Sequence, residues 1–174
     1  LTLPHKEGKV AADDVEKYIR EFYSEETYEH MVAPGMLYIS FPTEYGTIYS
    51  KRELEALSNV CRKAGIPLFI DGARLGYGLA AEGNDVSLND IARLSDVFYI
   101  GGTKVGAMFG EAVVITRKNL LPHFTPLVKQ HGAMLAKGRL LGVQFEALFE
   151  DGLYGRISEK AVRLAMRLKD TFKA

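Results

Sequence analysis

The sequence lacks several features that would place it in a specialised class of protein. Its one cysteine, Cys61, excludes an internal disulfide framework and is typical of a reducing compartment. Lysine and arginine number 22, as do aspartate and glutamate, so there is no excess positive charge to neutralise nucleic-acid phosphates. No apolar run approaches the roughly 20 residues that a bilayer-spanning helix needs. We therefore expect a cytoplasmic protein with no nucleic-acid or membrane partner.

The length and the hydrophobic content indicate a folded chain. Its 174 residues suffice for one compact domain with a full core, or for a large part of a longer domain. Hydrophobic residues make up 47% of the chain, and no low-complexity stretch occurs. The sequence begins at Leu1-Thr2-Leu3-Pro4 rather than at a methionine, and we expect it to be a piece of a larger polypeptide.

Short apolar segments alternate with amphipathic ones along much of the chain. The segments predicted to be strands are 36–41 (MLYISF), 67–70 (PLFI), 97–100 (VFYI) and 112–115 (AVVI). Strands that are apolar along their whole length and separated by helices indicate an α/β fold. We expect a mostly parallel sheet sandwiched by helices on both of its faces.

Helices are predicted between and after these strands. One runs from 13 to about 29, and two others follow the capping boxes Ser50–Glu53 and Ser87–Asp90. After Arg117 the pattern is helical only, from 120 to about 150 and from 153 to 172.

Chemically useful side chains follow three of the predicted strands. The residues after those strands are 42–47 (PTEYGT), 71–74 (DGAR) and 101–104 (GGTK). Ligands of open α/β sheets bind at the carboxyl ends of the strands. A glutamate, an Asp–Arg pair and a Thr–Lys pair are therefore expected at one edge of the sheet.

Asp71 and Arg74 allow two interpretations. They could pair with each other, since a carboxylate at the end of a buried strand is costly without a partner. Alternatively, Asp71 faces a cationic ligand atom and Arg74 binds an anion through its planar guanidinium.

Lys104 is either a solvated surface lysine or a nucleophile. It lies in a glycine-rich turn directly after an apolar strand, where the backbone can approach a ligand closely. A lysine held in a dry site loses proton affinity, and its neutral amine attacks carbonyl groups. A lysine and an aspartate at neighbouring strand ends suggest pyridoxal 5′-phosphate, which needs both groups.

The segments 68–75 (LFIDGARL) and 96–104 (DVFYIGGTK) closely resemble the threonine aldolase and β-eliminating lyase group. These are pyridoxal-phosphate enzymes of the aspartate-aminotransferase fold (fold type I). The resemblance extends from Gly8 to the helices after Lys129. It implies that the chain is the central part of the large domain, with 1–150 as a partial cofactor-binding domain. Residues 151–174 would be a helix leading toward a C-terminal small domain.

The resemblance implies specific roles for five residues. Lys104 corresponds to the lysine that binds the cofactor covalently, and Asp71 to the carboxylate that bonds the pyridinium nitrogen. Arg74 corresponds to an arginine that holds the substrate α-carboxylate. Thr103 corresponds to a Ser or Thr near the cofactor phosphate, although its hydroxyl could instead stabilise the turn. Thr43 matches a threonine of the family and is a further cofactor-binding candidate.

The sequence departs from the family pattern in one place that bears on chemistry. Threonine aldolases commonly carry a Glu-Asn-Thr-His-Asn run after the first strand, and here Glu44 stands at the histidine position. This substitution keeps other substrates and reactions open. Four polar residues are weaker candidates for phosphate or subunit contacts, and a solvated helix face is the favoured interpretation: Lys129, His131, Lys137 and Arg139.

The resemblance implies a lyase that cleaves the Cα–Cβ bond of a β-hydroxy-α-amino acid. L-threonine or L-allo-threonine would give glycine and acetaldehyde in a homodimer or homotetramer. A β-eliminating lyase or an aminotransferase on the same site is an alternative, as is a non-catalytic module with this fold. Dinucleotide binding is disfavoured because no strand–GxGxxG–helix unit is present.

Overall fold

The fold is built on a four-stranded sheet. The computed structural model describes residues 1–173. Its strands are β1 Leu37–Ser40, β2 Leu68–Asp71, β3 Val97–Gly101 and β4 Glu111–Ile115. They lie in the order β1-β2-β3-β4, with β1, β2 and β3 parallel and β4 antiparallel. The α/β class and the mostly parallel sheet are thus confirmed, and each observed strand end lies within one residue of its predicted position.

Helices precede, connect and follow the strands. They are α1 Ala12–Ser24, α2 Lys51–Ala64, α3 Leu75–Leu79, α4 Leu88–Leu94, α5 Phe124–Gln130, α6 Arg139–Phe149 and α7 Leu153–Lys173. Short 3-10 turns occur at Tyr28–His30 and Glu150–Gly152. Within residues 1–173, no helix combines the length and the apolar character needed to cross a bilayer.

The observed helices differ from the prediction in three ways. The helix predicted to reach about residue 29 ends at Ser24, and the stretch 120–150 contains two helices joined by a turn. The short helix α3 was not predicted, because two of its five residues are glycine. The predicted final segment extends to Ala174, which lies outside the described residues.

Both predicted capping boxes are present. Ser50 Oγ accepts a hydrogen bond from the Glu53 N–H at 3.3 Å, and the Glu53 carboxylate accepts from the Ser50 N–H at 2.7 Å. Ser87 and Asp90 make the same reciprocal pair at the start of α4. These bonds satisfy backbone donors that have no partner inside the helix, which is why α2 and α4 begin at these residues.

The two faces of the sheet differ in burial. One face packs against α2 and α4, and its side chains are at most 7% exposed: Leu37, Ile39, Leu68, Ile70, Phe98 and Ile100. On the opposite face Tyr38 is 53% exposed and Val113 is 61% exposed. In the part of the chain that the structure describes, this second face is therefore less completely covered than the face that packs against α2 and α4.

Candidate active site

The loops that follow β2 and β3 touch each other through their backbones. The Gly101 N–H donates a hydrogen bond to the Gly72 carbonyl oxygen at 2.9 Å. A Cβ atom at Gly72 would lie 1.9 Å from the Tyr99 carbonyl oxygen, and one at Gly101 would lie 2.3 Å from that of Ala73. Only glycine permits this approach, and it brings the two predicted site loops together at one edge of the sheet.

Asp71 ends β2 and is held by two donors. The Tyr38 hydroxyl donates to its Oδ2, and the Ala73 N–H donates to its Oδ1 at 2.9 Å. The nearby Tyr99 hydroxyl also favours the charged form of this carboxylate. Burial acts to raise the pKa of Asp71, but these hydrogen bonds and the charge of Lys104 hold that pKa below its ordinary value. The Asp71 carboxylate is therefore ionised at neutral pH.

Sequence reasoning missed the two tyrosines beside Asp71. Burial, followed by the neighbouring Asp71 carboxylate, raises the pKa of Tyr38 and of Tyr99, so both hydroxyls stay protonated at neutral pH. The Tyr38 ring stacks on Phe69 at 5.2 Å, and Phe69 meets Tyr99 edge-on at 6.1 Å. The sequence did carry a usable signal, because aromatic residues at matching positions of three strands share one sheet face.

Lys104 lies in the exposed turn after β3. The turn is fixed by the Val105 N–H, which donates to the Gly102 carbonyl at 2.9 Å, and by the fully buried Val105 side chain. The Tyr77 hydroxyl donates to the Lys104 carbonyl oxygen. The positive charge of Lys104 lowers the pKa of Asp71, yet the two groups form no ion pair among the described residues. Thr103 is exposed beside it.

Glu111 is a further acidic group at this edge that the sequence did not reveal. It begins β4 directly opposite Gly101 in the antiparallel register. The Gly102 N–H and the positive charge of Lys104 both act to lower the pKa of its carboxylate. Burial nevertheless raises the pKa of Glu111. The sequence does not show which strands pair, so nothing in it places Glu111 near Lys104.

Arg74 pairs with Glu44 and not with Asp71. Its Nη1 lies 3.5 Å from Glu44 Oε1, and the two side chains are 39% and 66% exposed. The interpretation in which Arg74 neutralises Asp71 is therefore wrong in the described structure. Glu44 lies in the loop that follows β1, so this ion pair joins the loop after β1 to the loop after β2.

Thr43 is placed differently from the other candidates. It is 2% exposed, and its hydroxyl lies 2.6 Å from the Thr47 hydroxyl and 3.4 Å from the Glu7 carbonyl oxygen. These bonds stabilise the turn after β1, so its cofactor role stays a prediction. The four weaker candidates are all exposed: Lys129, His131, Lys137 and Arg139. Lys129 and Arg139 lie in α5 and α6, whereas His131 and Lys137 lie between these helices and so are not on a helix face as predicted.

Comparisons with known proteins show similarity over most of the chain. Residues 1–171 match the model of the beta-eliminating lyase family. The low specificity L-threonine aldolase of Pseudomonas aeruginosa is 31% identical over 141 residues, covering 81% of this chain and 41% of that protein. Its counterpart from Pseudomonas sp. is 33% identical over 150 residues, covering 86% and 43%.

A solved structure is more similar still. The structure of Leishmania major threonine aldolase superimposes with a TM-score of 0.91 at 46% identity, covering 99% of this chain and 49% of that one. The chain thus spans less than half the length of each of these three relatives. The resemblance to the threonine aldolase and β-eliminating lyase group is confirmed, and since the family match runs through nearly all of the sequence, this chain belongs to the beta-eliminating lyase family.

Proposed function

We propose that the whole protein is a pyridoxal-phosphate-dependent lyase that cleaves the Cα–Cβ bond of L-threonine or L-allo-threonine to glycine and acetaldehyde. The observation that carries the proposal is the ionised Asp71 and Lys104 at one sheet edge, electrostatically coupled but not in contact. A cofactor that contacts both residues would lie between the Asp71 carboxylate and the Lys104 amine. The similarity to three threonine aldolases supports this choice of reaction.

The residues around Asp71 suit the cofactor's pyridine nitrogen. A carboxylate offers about four lone-pair positions, and the Tyr38 hydroxyl and the Ala73 N–H use two of them. The carboxylate thus keeps acceptor capacity for a pyridinium N–H. Because its pKa is held low, Asp71 stays negative and keeps that nitrogen protonated.

The Lys104 side supplies the covalent attachment. Its Nζ would bind the cofactor's aldehyde carbon, and the fixed backbone of the turn would limit where that nitrogen can reach. The adjacent Thr103 hydroxyl would donate toward the phosphate, and Thr43 would support the neighbouring turn. When bound, pyridoxal phosphate supplies an electron-accepting ring that stabilises the carbanion left on Cα.

Arg74 would orient the substrate. Its guanidinium has donors beyond the one that faces Glu44, and its partial exposure leaves it accessible to an α-carboxylate. Holding that carboxylate would limit the orientations that the substrate's Cα can adopt at the site. By family resemblance we also propose a cytoplasmic homodimer or homotetramer in which 151–174 leads toward a small domain.

The decisive variant is Lys104→Ala in the full-length protein. We expect it to lose both the absorbance of lysine-bound cofactor near the visible edge and the cleavage of threonine. Lys118→Ala, at an exposed lysine after β4, serves as the control and should keep both. A yellow Lys104→Ala protein with undiminished turnover would refute the proposal.

A further inference from the structure

A tyrosine of α7 joins the two site loops. Tyr154 is 6% exposed, and its hydroxyl donates to the Gly101 carbonyl oxygen at 3.0 Å. The same hydroxyl accepts a hydrogen bond from the Gly76 N–H at 3.1 Å. Gly101 lies three residues before Lys104, and Gly76 lies in the helix that begins just after the Asp71 loop. One side chain therefore ties the ends of both loops together.

The surrounding contacts leave this tyrosine little freedom. A Cβ atom at Gly76 would lie 2.2 Å from Ser158 Oγ and 2.8 Å from Tyr154 Cε1, so α3 and α7 approach as closely as a glycine allows. Phe149 stacks on the Tyr154 ring at 5.2 Å. The hydroxyl is thus fixed in position by packing on both sides of the ring.

A second tyrosine makes a related contact. Tyr77 follows Gly76 on α3, and its hydroxyl donates to the Lys104 carbonyl oxygen. The turn that carries Lys104 is consequently bonded to α3 directly through Tyr77 and indirectly through Tyr154. Burial raises the pKa of Tyr154 to about 12, so its hydroxyl remains a donor throughout the neutral range.

We infer that Tyr154 and Tyr77 are positioning residues that set the distance of Lys104 from Asp71, and hence the fit of one cofactor between them. The inference rests on the proposed function. Neither hydroxyl bonds a side chain of the site; both bond its backbone. Displacing the Gly101 end of the turn would carry Lys104 with it, and a misplacement of about 1 Å can cost about 100-fold in rate.

Tyr154→Phe in the full-length protein tests this role. It keeps the packed ring and removes both hydrogen bonds. We expect the apparent Kd for pyridoxal phosphate, from absorbance titration of the apoprotein, to rise about tenfold. We also expect an altered visible circular dichroism of the bound cofactor and a lower kcat, with the KM for threonine less affected.

Ser158→Ala is the matched control. Ser158 is fully buried on the same helix, and its hydroxyl donates to the Tyr154 carbonyl at 2.8 Å without contacting either loop backbone through a hydrogen bond. It should lower Tm while leaving the cofactor Kd and dichroism at wild-type values. Tyr77→Phe, at a half-buried position, should also raise the cofactor Kd. It serves as the test of the positioning role if Tyr154→Phe does not fold.

Three results separate the possible failures. Wild-type cofactor affinity and dichroism in the folded tyrosine variants, even with a lower Tm, would overturn the positioning role, as would an equal loss of affinity in Ser158→Ala. If Lys104→Ala keeps both the absorbance of lysine-bound cofactor and undiminished threonine cleavage, the proposed function itself fails.

Discussion

Glu44 forms an ion pair with Arg74, the residue that we propose binds the substrate carboxylate. Its Oε1 lies 3.5 Å from Arg74 Nη1. On the proposed function, the substrate's α-carboxylate would bind the same guanidinium through its other donors, so the neighbouring negative charge of Glu44 would weaken that binding without blocking it. Glu44→Gln removes the negative charge and keeps the size of the side chain. We therefore expect this variant to bind amino acids more tightly.

The size of the effect follows from the exposure of the pair. The side chains are 39% and 66% exposed, and only one N···O contact is made. Exposed ion pairs contribute about 0.2–1 kcal/mol, which corresponds to about a 1.4- to 5-fold change in an equilibrium constant. A single contact at this distance belongs at the lower end of that range. The KM for L-threonine should therefore fall about twofold, with kcat unchanged.

Steady-state kinetics of the full-length protein at low and high salt provide the assay. Salt screens an exposed pair, so the difference between Glu44→Gln and wild type should shrink at high ionic strength. The control is Glu55→Gln, which breaks a similarly exposed pair with Arg93 away from the site and should leave KM unchanged. A higher KM in Glu44→Gln would show that Glu44 orients Arg74 rather than competing for it.

Two further predictions concern stability. Gly72→Ala places a Cβ 1.9 Å from the Tyr99 carbonyl oxygen and should lower the free energy of unfolding, measured in urea, by at least about 3 kcal/mol. The control is Gly35→Ala, whose Cβ would have nothing within 4 Å and which should change that free energy by less than about 0.5 kcal/mol. Similar losses in both would contradict the close approach of the loops. Burial raises the pKa of Glu111, so its negative charge destabilises the fold at pH values above that pKa. Glu111→Gln should therefore be more stable than wild type near neutral pH. The difference in the free energy of unfolding should shrink as the pH falls through the raised pKa. A stability difference that widens toward acid pH would show that the fold lowers the pKa of Glu111 instead of raising it.

Local chemistry explains which features the sequence predicted. The capping boxes at Ser50 and Ser87 need only residues three positions apart, and both formed as expected. The apolar runs located all four strands, because fully apolar segments of this length are typical of buried strands. Asp71 and Lys104 were found by their positions directly after those strands.

Partners brought together by tertiary structure were not predictable. The bond between Tyr38 and Asp71 depends on the register of β1 against β2, and the approach of Glu111 depends on β4 running antiparallel to β3. Glu44 reaches Arg74 from a different loop. Each of these contacts depends on strand or loop pairing rather than on neighbouring residues. The Asp71–Arg74 alternative relied on sequence proximity alone and was wrong for the same reason.

The glycine contacts between the two site loops have a consequence for protein engineering. With Gly72 and Gly101 against opposing carbonyls, neither loop can be reshaped without moving the other. A saturation library aimed at new amino-acid substrates should therefore leave both glycines fixed, keep Arg74 for the α-carboxylate that all such substrates share, and randomise Glu44, whose exposed side chain can change without disturbing the backbone beneath it.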